Sequence, residues 1–164
     1  MQNIKISTAQ FENRSGDKEY NLSVIDQLSE KAVSEGAKIV VFHECSITGY
    51  SFARKLSKEQ LSEIAELIPE GESIQKLMRI AAKHNIVVLA GLFEKTHDGD
   101  LYKAYVCVEG NGLIAKYRKL HPFINPHLKA GNQYCVFELL GWKCGILTFV
   151  IDFFKSFAVR NFFS

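Results

Sequence analysis

Hydrophobic positions change period several times along this chain, and each change marks an element. Residues 4–11 (I-K-I-S-T-A-Q-F) set Ile4, Ile6 and Thr8 at alternate positions, which predicts a first strand. A polar turn containing Gly16 follows. Leu22, Ile25, Leu28, Ala32 and Val33 then recur at helical spacing, and Gly36 stops that helix. Ile39–Phe42 (I-V-V-F) is a continuous run of mostly β-branched residues, the pattern of a strand buried on both faces. Strand, helix and strand in that order form a β-α-β unit, which requires a parallel pair and a right-handed crossover.

Beyond residue 50 the alternation continues. Residues 57–68 predict a second helix, with Ser57 as N-cap and Leu61, Ile64, Ala65 and Ile68 on one face. Pro69-Glu70-Gly71-Glu72 breaks it, and Ser73 is expected to cap a third helix ending near His84-Asn85. Residues 86–93 (I-V-V-L-A-G-L-F) read as another buried strand, closed by Glu94. Leu101–Glu109 alternates, Gly110-Asn111-Gly112 turns and residues 113–117 return, which is a hairpin signal. Two further strands are expected at residues 136–139 and 144–151, joined through Gly141-Trp142.

Composition narrows the function. The chain has 164 residues, 47% hydrophobic, enough for one ordinary core, and residues 1–164 read as one domain. Its 20 basic and 18 acidic side chains leave a formal charge of +2, too small and too evenly spread to predict a nucleic-acid partner. No charged-then-apolar leader opens the sequence, and no apolar run is long enough to span a bilayer. Cys45, Cys107, Cys135 and Cys144 lie far apart without a C-x-x-C pair and read as reduced thiols. A cytoplasmic protein is expected, with no membrane partner.

Chemistry concentrates after Phe42. Ligands collect outside the carboxyl ends of strands in open α/β sheets, and His43-Glu44 stands where the Ile39 strand should emerge. Glu44 is therefore a candidate for chemistry; the alternative is a carboxylate that only caps a loop. Lys119 has its own bland alternative, a solvated charge in the basic run of residues 116–119.

Three segments together resemble the nitrilase superfamily of carbon–nitrogen hydrolases. They are the opening A-Q-F strand, F-H-E-C-S-I-T-G-Y at residues 42–50, and the hairpin running into Y-R-K-L-H at residues 117–121. The resemblance runs from about residue 4 to residue 152. It implies an α/β fold, the α-β-β-α sandwich of this superfamily, of which the chain holds the N-terminal portion. It also implies hydrolysis of a non-peptide C–N bond in a small amide, nitrile or N-carbamoyl compound. The family uses a Cys nucleophile, a Glu general base, a Lys and a second, assisting Glu. On this sequence Glu44 matches the base and Lys119 the lysine. A thiol near its free pKa is little ionised at neutral pH, so a carboxylate must take its proton. The ammonium then stabilises the oxyanion of the tetrahedral intermediate. No metal or organic cofactor is implied, because this chemistry needs only side chains and water. A homodimer or larger self-association is what the family leads one to expect.

The nucleophile departs from the family pattern. Gly145-Ile146-Leu147-Thr148 matches the strand that precedes the Cys, but Phe149-Val150-Ile151-Asp152 follows where Cys-Tyr-Asp should stand. Counting from the glycine puts Phe149 in the Cys position; counting back from Asp152 puts Val150 there. Neither side chain can attack a carbon. The assisting Glu is also missing, since no acidic residue falls between Glu109 and Glu138, and Asn125 and His127 occupy that loop. Cys45 and Cys144 are poor substitutes: one adjoins Glu44 on the opposite side of the strand, the other begins its strand. A zinc site from His121, His127, Cys135 and Cys144 lacks the paired spacing of structural sites.

Family members continue for about a hundred residues beyond this point, and residues 153–164 are rich in Phe. The expectation is a sandwich incomplete at its C-terminus, with an apolar face left for self-association or a partner. Three readings follow: a hydrolase-lineage chain inactive for want of its Cys, a non-catalytic binding or assembly subunit on the same scaffold, or an unrelated α/β ligand-binding domain.

Overall fold

The computed structural model describes residues 3–148. Five strands form one sheet in the order β1-β2-β3-β4-β5: β1 is Ile6–Ala9, β2 Ile39–Phe42, β3 Val87–Lys95, β4 Leu101–Glu109 and β5 Gly112–Arg118. β1, β2 and β3 are parallel, with Ile6 opposite Ile39 and Ile39 opposite Val87. β3, β4 and β5 are antiparallel, with a register shift at Cys107/Val108. The sheet therefore changes pairing mode at β3, as the sequence pattern predicts when its period shifts after residue 93.

Helix α1 (Lys18–Ser34) starts at Asp17, whose carboxylate accepts the Tyr20 N–H at 3.0 Å. It stops where Gly36 takes a φ of +84°, a left-handed conformation that glycine adopts without steric cost. Leu22, Ile25 and Ala32 are buried, whereas Val33 is turned to solvent. Helix α2 (Lys58–Ile64) has the expected Ser57 cap, here a full capping box with Gln60, but it is shorter than its apolar spacing predicts. The chain becomes extended at Ala65, and Glu66 makes a bridge to Glu94 of β3. Pairing with a strand edge satisfies these backbone groups better than another helical turn.

Helix α3 (Glu72–His84) also departs from expectation. Its N-cap is Gly71, which has no side chain, and Ser73 lies inside the first turn. Glu66 supplies the missing cap from outside the helix: its carboxylate accepts the Ser73 N–H and the Ser73 hydroxyl, both at 2.7 Å, and pairs with Lys18. Asn85 closes the helix in a left-handed conformation.

Helices α1 and α3 cover one face of the sheet, packing Leu22, Ile25, Ile74 and Leu77 onto Val40, Val88, Ala90 and Val106. The opposite face (Ile39, Leu89, Cys107, Tyr117) packs against a hairpin of β6 (Cys135–Leu139) and β7 (Trp142–Ile146). The turn of this hairpin is Leu140-Gly141, both with positive φ, rather than Gly141-Trp142. Helices, sheet and hairpin are three successive layers of the expected α-β-β-α sandwich. The outer side of the hairpin carries exposed Val136 and Trp142. The last residues of the predicted 144–151 strand, and the Phe-rich 153–164 stretch, lie outside the described residues.

Leu77→Ala should cost about 2–5 kcal/mol, because Leu77 is wholly buried between α3 and the sheet; urea unfolding measures it. Glu66 generates a pH prediction. Burial alone would raise its carboxyl, but the hydrogen bonds from Lys18 and Ser73 outweigh burial and hold it below the usual Glu value of 4.5. Its stabilisation is thus complete above about pH 4.5 and lost as pH falls through the lower native value. Glu66→Gln should unfold more easily by about 1–3 kcal/mol at neutral pH and show a flatter stability profile below pH 4.5. Parallel profiles for the two proteins would refute this account.

Candidate active site

Glu44 lies two residues beyond the end of β2, and residues 44–48 form a turn. This turn is held from three sides. Ile47 N–H donates to the Gly91 carbonyl at 3.0 Å, and Gly91 N–H donates to Ser46 Oγ at 3.3 Å. Asn13 Nδ2 donates to the Cys45 carbonyl at 3.2 Å, and buried Asn21 Nδ2 donates to the Ile47 carbonyl at 2.9 Å. A Cβ at Gly91 would lie 2.6 Å from Cys45 N, so only glycine lets the turn approach β3 this closely. Cys45 itself takes a left-handed φ of 55°.

Lys119 comes from the other end of the chain segment. It follows the last residue of β5, and its N–H donates to the Lys103 carbonyl of β4 at 2.9 Å. That anchor aims its side chain back over the sheet. Lys119 Nζ donates to both oxygens of Glu44, at 2.8 and 3.0 Å. Its side chain is 2% exposed and that of Glu44 23% exposed. Lys119 is therefore not the solvated charge that a basic run allows.

Strand alternation sorts that basic run. Lys116 and Arg118 point to the opposite side and both bind Glu94, the Arg118 guanidinium through two contacts of 2.7 Å. Burial would raise Glu94, but Arg118 and Lys116 outweigh it and keep its carboxyl below the ordinary range. Glu94 thus lies buried inside β3 rather than closing it.

One group at the site escapes sequence reasoning. Lys103, the third residue of β4, has its Nζ 3.6 Å from Glu44 Oε1 and 4.2 Å from the centre of the Tyr50 ring. Its side chain is 1% exposed, and among the described residues its ammonium has no hydrogen-bond acceptor. The available signal was a lysine inside an otherwise apolar strand, L-Y-K-A-Y-V-C-V. Burial, and secondarily the Glu44 charge, push the neighbouring Tyr50 phenol up, so it stays neutral. Burial also depresses His43, whose Nε2 lies 3.2 Å from Asn13 Nδ2.

Other sequence candidates do not join this cluster. Asn125 Nδ2 is committed to the Ala53 and Leu56 carbonyls at 2.7 and 2.9 Å. His127 is exposed. Cys135 and Cys144 lie in the β6–β7 hairpin, packed against Cys107 and Tyr117. Cys45 is wholly buried among Ala53, Leu61 and Phe93. The expected nucleophile positions, Phe149 and Val150, lie outside the described residues, as does Asp152. No group of three His, Cys, Asp or Glu among the described residues is arranged to hold a metal ion.

Burial, reinforced by the adjacent Glu44 charge, pushes the Cys45 thiol up to about 12. At pH 8 roughly one Cys45 in ten thousand is a thiolate, and that fraction is buried. Iodoacetamide at pH 8 should leave Cys45 unmodified in the folded chain while alkylating it in urea. Equal alkylation in both conditions, read by peptide mass spectrometry, would contradict the burial.

Comparison with known proteins bears on the same stretch. The family model described as carbon-nitrogen hydrolase matches residues 5–150. A nitrilase of Pyrococcus abyssi is 35% identical over 159 residues, 94% of this chain and 59% of that protein. An (R)-stereoselective amidase of a Pseudomonas species is 29% identical, over 88% of this chain and 50% of that one. Among solved structures, Saccharomyces cerevisiae Nit3, a member of the nitrilase superfamily, superposes with a TM-score of 0.73 at 26% identity, covering 87% of this chain and 54% of its own. The chain spans about half the length of the curated relatives it matches. The matched region contains both the β2 end that carries Glu44 and the β5 end that carries Lys119, and by it this chain belongs to the carbon–nitrogen hydrolase family.

Proposed function

We propose that this chain carries the glutamate and lysine of a carbon–nitrogen hydrolase site, that Glu44 is the general base and Lys119 the oxyanion partner, and that the chain is inactive for want of a nucleophile. The observation that supports the reading is the Lys119 ammonium bound to both Glu44 oxygens across 75 residues of sequence. That contact orients the carboxylate, which a proton acceptor needs.

In the full reaction Glu44 removes the proton of a Cys thiol, and the sulfur forms a bond to the carbonyl or nitrile carbon. The π electrons of an amide carbonyl move to oxygen, and Lys119 stabilises that charge. The proton on Glu44 passes to the departing nitrogen, and water later cleaves the thioester with Glu44 again as base. This chain has Phe149 or Val150 where the sulfur belongs, so the first bond cannot form. The lineage substrates are small amides, nitriles or N-carbamoyl compounds. We further read residues 1–164 as one domain of a cytoplasmic protein, consistent with its four free thiols, and as one that self-associates as a homodimer or larger assembly.

A second reading is favoured by the same ion pair. A buried pair costs desolvation that a catalytically dead scaffold need not retain. Its presence supports a non-catalytic subunit that binds a small polar ligand or assembles with another chain.

The unmodified chain should release no ammonia from a panel of amides, nitriles and N-carbamoyl compounds above the uncatalysed rate; release would overturn the inactivity. With Cys introduced by Phe149→Cys or Val150→Cys, Glu44→Gln should lower any turnover by about 100-fold or more, with an unchanged circular dichroism spectrum. Binding of succinamide to the unmodified chain, measured by calorimetry, should weaken about tenfold in Glu44→Gln and in Lys119→Met. Unchanged affinity in both variants would remove the assignment.

A further inference from the structure

Lys119 meets both Glu44 oxygens although the two residues follow different strands, β5 and β2, with β3 and β4 between them. The last partners of the β2–β3 ladder are Val41 and Leu89, so that pairing ends before Glu44. A buried hydroxyl acts just beyond it. Tyr105 of β4 stands directly opposite both Gly91 of β3 and Tyr117 of β5, and both tyrosines are buried. The Tyr105 hydroxyl reaches past β3 and donates to the carbonyl of Phe42, the last residue of β2; the Leu89 carbonyl lies 3.3 Å away. The Tyr117 hydroxyl accepts the N–H of Leu120, the residue after Lys119, at 3.3 Å. Gly91 makes room for this arrangement, since a Cβ there would lie 3.0 Å from the Tyr105 ring as well as 2.6 Å from Cys45 N. Burial, and secondarily the nearby Cys107 and Glu44, push the Tyr105 phenol up, so it keeps the proton it donates. Apolar packing accounts for the two rings but not for the hydroxyls, which Phe would spare from burial.

We propose that Tyr105 and Tyr117 are positioning residues of this site, their hydroxyls fixing the chain beside Glu44 and beside Lys119 so that the two charges meet. The inference rests on the reading of that ion pair as the site and goes beyond it by naming what sets the pair's geometry. The two rings are cross-strand partners, so the β4–β5 ladder fixes their separation. One hydroxyl is bonded just before His43-Glu44 and the other just after Lys119. Together they form a gauge that spans β2 to β5 and holds the two segments at one spacing. Neither tyrosine touches the Glu44–Lys119 bonds themselves, so each acts through the backbone it holds.

The test is a double-mutant cycle between Glu44 and Lys119 on the full chain, read as unfolding equilibrium constants in urea. Glu44→Gln, Lys119→Met and their combination are measured in the parent, in Tyr105→Phe and in Tyr117→Phe. In the parent the two substitutions should depart from additivity by about tenfold, and each Phe variant should cut that factor to about threefold or less. A hydroxyl that serves only the core would lower stability equally in every member of a cycle and leave the factor unchanged. An unchanged factor in either Phe variant therefore overturns the paired role, while the Glu44–Lys119 pair stands. A Phe variant that fails to fold makes that hydroxyl structural and overturns the inference too. Additivity in the parent itself overturns the ion-pair reading, and this inference with it.

Discussion

Everything at the candidate site is suspended from β3. It is the strand where parallel pairing to β2 gives way to antiparallel pairing with β4, and it is buried along nearly its whole length. Through β2 it fixes the carboxyl end from which Glu44 emerges. Through β4 it fixes Lys103, and through β4 and β5 together it fixes Lys119. At Gly91 its bare backbone also receives the turn that follows Glu44, on two reciprocal hydrogen bonds to Ser46 and Ile47. A side chain there would push that turn off the sheet. A buried strand with apolar residues on both faces cannot slip register without exposing one of them, so the three charges are held in place by packing far from themselves.

Charge is then separated by the period of the strand. Four basic groups, Lys103, Lys116, Arg118 and Lys119, serve two carboxylates, and alternation decides which serves which. Lys116 and Arg118 go with Glu94 on one face; Lys119 and Lys103 meet Glu44 on the other. The Glu94 group is a closed structure, its oxygens fully used by a bidentate guanidinium and an ammonium. At Glu44 the carboxylate is partly open and, among the described residues, Lys103 lacks a hydrogen-bond acceptor. On that asymmetry rests our proposal that the Glu94 group stabilises the fold and the Glu44 group forms the site.

The family assignment and the sequence Phe149-Val150-Ile151-Asp152 pull in different directions. Family membership rests on a match over residues 5–150 and on a fold shared with Saccharomyces cerevisiae Nit3. Within the described residues, Cys45 and Cys107 are buried among apolar side chains, and Cys135 and Cys144 lie in the β6–β7 hairpin. Our reading of the chain as a hydrolase relative that does not itself hydrolyse follows from that combination.

Much of this was legible in one dimension. Alternation and helical spacing placed the strand at Ile39–Phe42, helices α1 and α3 and the β4–β5 hairpin, because each is a local consequence of which face must be dry. Motif spacing likewise singled out Glu44 and Lys119. Local pattern misled where a distant partner competed for the backbone: α2 ends early because Glu66 bonds to β3, and α3 is capped by that same Glu66 rather than by Ser73. Lys103 escaped because a lysine in a strand has the same local signature whether it faces solvent or a carboxylate. Its partner, Glu44, is 59 positions away, and only the stacking of β2, β3 and β4 side by side brings the two charges within 3.6 Å. Sequence decides which residues want burial or charge; tertiary structure alone decides which charges must share one dry space.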